Sequence, residues 1–487
     1  MDELVGKIVE ALTASNRRLS AVTNPDGFLL RDDTQKKILS ESGLLLLPIK
    51  SSINLRVRYE LVDKFSNEKV CYIVDNIEDI LPDIKSALFI APTFTLAKLM
   101  PAYEKMELLQ SKVTFDTASF IYNKKITRDL SVEETRFLMT EADSIYGKDT
   151  QETIDELKSI DLNWEKVETI EQISNIVIDE IKRGTYHKIE STIDELNENY
   201  QDYLDKTYFS LINSSSIQKP KIVHKILPYL THKHQRSDKV VLIVVDGMSY
   251  WQYLMLDKAL KSVDIHAKKD ITFAYLPSIT KLSRQAIFKG KAPDMDYVQS
   301  PREESRLWTR YWTSLNSQKQ MQDYEIEYLH GSYNLNNYNC LRQAIVDTSL
   351  DEKMHSSNNN KDLYALTANW VEEVLPEIKK LHSQGFQIYI TTDHGNVFSN
   401  PWRLLDVDEK VYLYEKESRG KRHLIYSKPE YLQDFLRKNE EIREDLFIHD
   451  NWAIWRNAKN FSNVNNITHG GAHFLETIIP FITIEKK

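Results

Sequence analysis

Six consecutive apolar residues, Val240-Val241-Leu242-Ile243-Val244-Val245, run straight into Asp246-Gly247. A short unbroken apolar run of this kind suits a strand buried on both faces, and such strands belong to parallel sheets covered by helices. The amphipathic stretch Ser249 to Leu260 supplies one covering helix, which leaves Asp246 at the strand's carboxyl end. The same grammar returns downstream. A helical pattern from Leu363 to Leu381 stops at Gly385, the strand Phe386 to Thr391 follows, and Asp393-His394-Gly395 comes next. Ligands of open parallel sheets collect outside the carboxyl ends of the strands, so both aspartates are candidates for one site.

Further residues in the same stretch carry compatible chemistry. Thr280 precedes Lys281 to Phe288, a predicted helix ended by Gly290; at a helix N-terminus its hydroxyl meets free N–H groups that favour phosphate, or it serves as a cap. Asp351 and His355 are four apart and share a face if the segment is helical. His469 precedes Gly470-Gly471, where a loop histidine with one satisfied hydrogen bond would fit equally well. Each residue alone has a structural reading. Together, four aspartate or histidine pairs and singles plus one hydroxyl can hold two divalent cations and a nucleophile, the equipment of phosphoryl-ester chemistry.

The ordered set Val244-Val245-Asp246-Gly247, Leu276-Pro277-Ser278-Ile279-Thr280, Asp351-Glu352-Lys353-Met354-His355, Thr392-Asp393-His394-Gly395 and Thr468-His469-Gly470-Gly471 resembles the PglZ domain of the alkaline phosphatase superfamily. The closing Glu476-Thr477-Ile478-Ile479-Pro480-Phe481 is similar too. The resemblance implies an alkaline phosphatase-like α/β fold with a central, mostly parallel sheet flanked by helices. It also implies that Asp351, His355 and His469 hold one cation, while Asp246, Asp393, His394 and the Thr280 oxygen hold the second, with Thr280 as nucleophile. Mixed carboxylate and imidazole ligands suit Zn²⁺, and Mn²⁺ is compatible because no thiolate enforces softness. Ser283 and Arg284, one helical turn beyond Thr280, are candidate phosphate contacts. Ser278 is a second hydroxyl nearby, and His473 stands where the family more often has a smaller residue; it is not counted as a ligand.

Substrate class is less constrained. The resemblance favours a phosphodiester, DNA or an oligonucleotide included, over a monoester, for which no added cation is uniquely placed. A sulfatase would use a modified Cys or Ser where Thr280 stands. A metal-stabilised scaffold subunit of a defence complex, without catalysis, is the competing class. Two stretches could extend a nucleic-acid site: Ser305 to Trp312, which interleaves arginines with aromatics, and the basic Arg419-Gly420-Lys421-Arg422-His423. The first could equally be packed on the core and the second a solvated loop.

At 487 residues the chain is long enough for three regions. Short apolar runs at Ser20 to Val22, Phe28 to Leu30 around Asn24-Pro25-Asp26-Gly27, Leu44 to Leu47, Val70 to Val74 and Ala87 to Ile90 predict a small α/β domain over residues 1–120. Asp75 also closes a strand, but without companion histidines it reads as a cap. Charge-rich helical text fills residues 121–235, ending in a linker around Ser214-Ser215-Ser216 and a basic stretch from Lys219 to Arg236 that could steer substrate. The catalytic domain then spans residues 236–487. The first region's turn and the α/β-then-helical layout are similar to PglZ proteins of BREX phage-defence systems, which implies other defence proteins as partners; a homo-oligomer is compatible.

Cys71 and Cys340 give neither a disulfide framework nor a CxxC. The acidic start lacks a secretory n-region, and no apolar run approaches the ~18 residues of a membrane span. A cytoplasmic protein is expected. The net charge of -9 argues against a globally basic nucleic-acid coat.

Overall fold

The computed structural model describes residues 2–14, 17–110, 113–146, 150–215, 218–334, 340–357, 359–414 and 421–486. They form two compact units, Met1–Thr153 and Ile154–Lys487. Ser216, Asn358 and Arg419-Gly420 lie outside the described residues.

The smaller unit holds a sheet of β1 (Leu19–Thr23), β2 (Leu44–Pro48), β3 (Lys69–Val74) and β4 (Phe89–Ile90), in the order β2-β3-β1-β4 and parallel throughout. Strand alternation sorts its residues between two cores: Cys71 and Ile73 pack into one, Val70, Tyr72 and Val74 into the other. Both faces are thereby buried.

Phe28 to Leu30 is a 3₁₀ turn rather than a strand. The cause is local: the Asn24 side-chain oxygen accepts the Leu29 N–H at 2.8 Å, and Asp26 Oδ1 accepts that of Phe28 at 3.2 Å. These acceptors wind the chain into the crossover that a parallel neighbour needs, instead of returning it as a hairpin. The expected start of the next strand at Ala87 is the end of a helix, Pro82–Ala87.

In the larger unit the strands are β5 (Val240–Val245), β6 (Ala267–Lys268), β7 (Ile271–Phe273), β8 (Ile326–His330), β9 (Arg342–Asp347), β10 (Gln387–Thr391), β11 (Val397–Pro401), β12 (His423–Ile425), β13 (Leu446–His449), β14 (Trp452–Trp455), β15 (Lys459–Asn460), β16 (Asn466–Thr468) and β17 (Ile478–Ile484). The main sheet runs β6-β17-β10-β5-β9-β8, with β7 also on β17. Its four strands β10, β5, β9 and β8 are mutually parallel, and β17 lies antiparallel on β10. Helices flank this mostly parallel sheet, as the apolar run at Val240 demanded. All six residues of β5 are buried.

The helices Val167–Arg183 and Glu190–Ile212 share this unit's core through Ile173, Ile181, Tyr200 and Leu204. They also brace the chain beyond His469: Tyr200 and Thr477 hydroxyls lie 2.8 Å apart, and Gln201 donates to the Ala472 carbonyl at 2.8 Å. Between β11 and β16 the chain builds a small insertion with its own sheet, β12-β14-β13, and core.

The aromatic–arginine stretch is the helix Pro301–Thr313, and its Trp308 and Trp312 are 0% and 1% exposed. Their rings pack edge to face at 5.5 Å, and Arg342 lies over Trp312 at 4.9 Å. They are core, and offer no platform for stacking bases. In the basic stretch after the linker Lys219 pairs with Asp270, Lys221 with Glu165 and Arg236 with Glu325, and His224 and His234 are buried, while His232 and Lys233 are exposed. Among the described residues no helix is long and apolar enough to cross a membrane.

Trp308→Ala should lower the stability of the larger unit by about 3–5 kcal/mol, the usual cost of emptying a large core site. Urea unfolding followed by circular dichroism measures it, and a change within error would place Trp308 outside the core.

Candidate metal centre

The register of the sheet builds the site. Val244 pairs with Thr391 and Val245 with Asp347, so the chain segments leaving β5, β9 and β10 emerge side by side. Asp246 is the first residue beyond β5 and Asp393 the second beyond β10. The Gly247 N–H donates to Asp393 Oδ1 at 3.2 Å, joined by the His394 N–H at 3.1 Å and the Thr392 hydroxyl at 3.2 Å. Asp393 is 0% exposed. Its second oxygen, Oδ2, is buried without a hydrogen-bond partner among the described residues and lies 3.8 Å from His394 Nε2.

His394 donates from Nδ1 to the Gly395 carbonyl at 2.9 Å, which leaves the Nε2 lone pair facing inward. Nε2 stands 3.6 Å from Asp246 Oδ1 and 3.0 Å from the Thr280 hydroxyl. Thr280 opens the helix Thr280–Lys289, and its hydroxyl is 3.5 Å from Asp246 Oδ1. His469 stacks on His394 with ring centres 3.8 Å apart and donates from Nδ1 to the Ser278 carbonyl at 3.2 Å. The helix Ser349–Ser356 carries Asp351 and His355 on one face, with Asp351 Oδ1 and His355 Nε2 3.5 Å apart. The ring of His355 is 5.8 Å from that of His469.

Two groups of candidate ligands result. Asp351, His355 and His469 form one; Asp246, Asp351 and His394 form the other, the ligand atoms of each lying within 4.8 Å of one another. Asp351 thus stands between both groups, and Asp393 reaches the second through Oδ2. All seven residues singled out as ligands converge here.

Electrostatics favours cations. Burial, then the neighbouring charge of Asp393, pushes Asp246 up to about 7, against the pull of Arg284 and His394. Asp393 is also raised, by burial. His469 is held well below the usual histidine range by burial and by the adjacent His394 and His355, so it is neutral and its lone pair is free to ligate. Buried carboxylates beside the neutral His469 imidazole, with one carboxylate oxygen unpartnered among the described residues, fit divalent cations.

The other candidates have protein partners of their own. Arg284 is 5% exposed and is held between Asp246 Oδ2 at 2.7 Å and Glu304 Oε1 at 3.0 Å, so its guanidinium positions a candidate ligand. Ser283 is fully buried and exchanges hydrogen bonds with the Tyr275 backbone. The Ser278 hydroxyl donates to the Gly471 carbonyl at 2.8 Å and accepts the Gly470 N–H at 3.1 Å, which ties the Thr280 and His469 loops together. His473 Nδ1 accepts the Leu475 N–H at 3.1 Å as a helix cap. Arg422, from the stretch read as a basic turn, is 0% exposed and paired with Glu476 at 2.7 Å.

Two positioning residues were given no role by the sequence reading, although Glu476 stands in the closing motif. Asp347, at the end of β9, accepts the Ser349 N–H and hydroxyl on Oδ1 and the Tyr333 hydroxyl and Trp370 indole N–H on Oδ2, all within 3.0 Å. It fixes the start of the helix that carries Asp351 and His355. Its signal was present, a strand closed by aspartate, but diluted by Arg342 and Gln343 in the same strand. Glu476 accepts the Gly471 and His473 N–H groups at 3.0 and 3.1 Å and anchors the turn after His469. The glycines of the motif have steric reasons. At Gly247 the backbone has φ +75°, and a Cβ at Gly395 would sit 2.2 Å from the Leu475 carbonyl.

A family model described as the BREX system PglZ alkaline phosphatase-like domain matches residues 224–484. No curated protein matches the chain. Among solved structures, murine ectonucleotide pyrophosphatase/phosphodiesterase 5 is similar with a TM-score of 0.36 and 9% identity, covering 51% of this chain and 88% of that one. Phosphonoacetate hydrolase from Sinorhizobium meliloti 1021 gives a TM-score of 0.34 and 11% identity, covering 52% of this chain and 91% of that one.

Because the folded value of Asp246 lies above the ~3.9 of an unfolded aspartate, its contribution to metal-free stability is full at low pH and is lost as pH rises through about 7. In chelator, Asp246→Asn should therefore gain stability relative to wild type between pH 5 and pH 8. Urea titrations at both pH values test this, and a difference independent of pH would contradict it.

Proposed function

The chain belongs to the family of BREX system PglZ alkaline phosphatase-like domains, and from that premise we propose that it is a two-metal phosphodiesterase with Thr280 as nucleophile, acting in anti-phage defence. The observation that carries this reading is the Thr280 hydroxyl, 3.0 Å from His394 Nε2 and 3.5 Å from Asp246 Oδ1, at the first position of a helix. A metal site serving only to hold the fold has no use for a hydroxyl at this place.

Two divalent cations, zinc as first choice, would supply Lewis-acid charge that acidifies the hydroxyl and offsets negative charge on the departing oxygen. Asp351, His355 and His469 would hold one, and Asp246, Asp393 and His394 the other with the Thr280 oxygen. The Thr280 oxygen attacks phosphorus in line with the leaving ester oxygen. One P–O bond forms to Thr280, the ester P–O bond breaks, and the alcohol departs. Water then releases the phosphoryl group from Thr280 and regenerates the hydroxyl. The N-terminus of the Thr280–Lys289 helix and its dipole favour the nonbridging oxygens.

Arg284 is engaged by Asp246 and Glu304, so it is committed to the protein and does not add a free cation for the extra charge of a monoester. That supports a diester. A nucleic-acid substrate draws no support from the Trp308 and Trp312 helix, and the choice between DNA and a smaller diester rests with assay.

Thr280→Ala should retain both cations and lose at least about 10³-fold of turnover, as expected when a covalent nucleophile is removed. Metal analysis together with hydrolysis of a bis-aryl phosphate, an aryl monophosphate and single- and double-stranded DNA tests it. Residual turnover near wild type would refute the nucleophile. Absence of turnover by wild type with every metal and substrate would leave a scaffold.

A further inference from the structure

The smaller unit contains a cavity of ≈ 550 Å³ that the phosphoester chemistry does not use. Residues following all four parallel strands line it, so it opens at the carboxyl edge of the sheet. The connection leaving β1 passes β3 to reach the edge strand β2, and the one leaving β3 passes β1 to reach β4. The two central strands thus send their connections in opposite directions, the arrangement that opens a ligand crevice in parallel sheets. The volume falls within the about 300–1,000 Å³ of small-molecule sites.

Two opposite charges face this crevice. Lys50 follows β2 and Asp75 follows β3, and both line the main cavity and the smaller one beside it. Asp75 is not the cap it was expected to be. Asn76 takes that role, its Oδ1 accepting the Glu78 N–H at 3.1 Å, and among the described residues no hydrogen bond or ion pair engages the Asp75 carboxylate. No ion pair joins Asp75 to Lys50 among the described residues, although both border one space. Pro25 and Leu30 from the connection after β1 and Ile49 just beyond β2 give the lining an apolar shelf, Leu30 being 44% exposed.

We infer that this cavity binds a nucleoside phosphate. A carboxylate at a strand end accepts hydrogen bonds from the paired hydroxyls of a ribose, and an ammonium on the next strand takes the phosphate. The apolar shelf receives the face of the base. The repulsion between Asp75 and phosphate fixes the orientation, with the sugar toward β3 and the phosphate toward β2.

The test is isothermal titration calorimetry of the full-length chain with AMP, GMP, CMP and UMP, with adenosine and inorganic phosphate as controls. It is run in EDTA, which removes the cations required for hydrolysis, and in parallel on metal-loaded Thr280→Ala protein, so that loss of metal is not confused with loss of fold. At least one nucleotide should bind in both preparations. Lys50→Ala and Asp75→Asn should each weaken that binding at least tenfold, with diester hydrolysis unchanged in the metal-loaded variants. Where AMP binds, adenosine should bind independently of Lys50, and phosphate alone should not bind. Binding that needs the cations, binding indifferent to both substitutions, or no binding by any of the four nucleotides would overturn the inference.

Discussion

Carboxylates gathered in a dry place are the constraint on which the larger unit depends. The parallel register of β9, β5 and β10 brings Asp347, Asp246 and the Asp393 segment out abreast at one edge of a sheet buried on both faces. Like charges so close are costly in a low dielectric, and the protein meets that cost differently at each. Asp347 is satisfied by four donors and serves as an anchor. Asp246 leans on Arg284. Asp393 keeps one oxygen without a partner among the described residues, and a divalent cation is the simplest group that satisfies it.

The surrounding architecture holds this arrangement rigid. The Ser278 hydroxyl, Glu476 and the buried Arg422 bind the turn after His469 to the loop before Thr280. Asn396 spans the loops beyond β5 and β10, donating to the Gly247 carbonyl and to Gln252 at 2.8 Å each. The helices Val167–Arg183 and Glu190–Ile212 close the core from a distance in sequence. Imidazoles fixed through one nitrogen present the other to a ligand without paying further ordering entropy.

The sheet and the convergence of Asp246, Thr280, Asp351, His355, Asp393, His394 and His469 were legible because their signals are short in sequence. An apolar run, an i, i+4 pair and glycines at close approaches each leave a local mark. What was not legible depended on partners far along the chain. Arg284 looked free to meet phosphate because nothing local marks Glu304, twenty residues on, as the second carboxylate that holds it. Trp308 and Trp312 alternate with arginines in the text, yet their four-residue spacing turns them onto the same buried face. Phe28 to Leu30 reads as a strand by composition, and side-chain acceptors at Asn24 and Asp26 decide otherwise.

The central claim is that these residues form a centre for two cations. Anomalous diffraction at the zinc edge from crystals grown with zinc addresses it most directly. Two peaks are predicted, one within bonding distance of Asp351, His355 and His469 and the other of Asp246, Asp393, His394 and the Thr280 oxygen. A single peak, or peaks only at surface residues, would contradict the account.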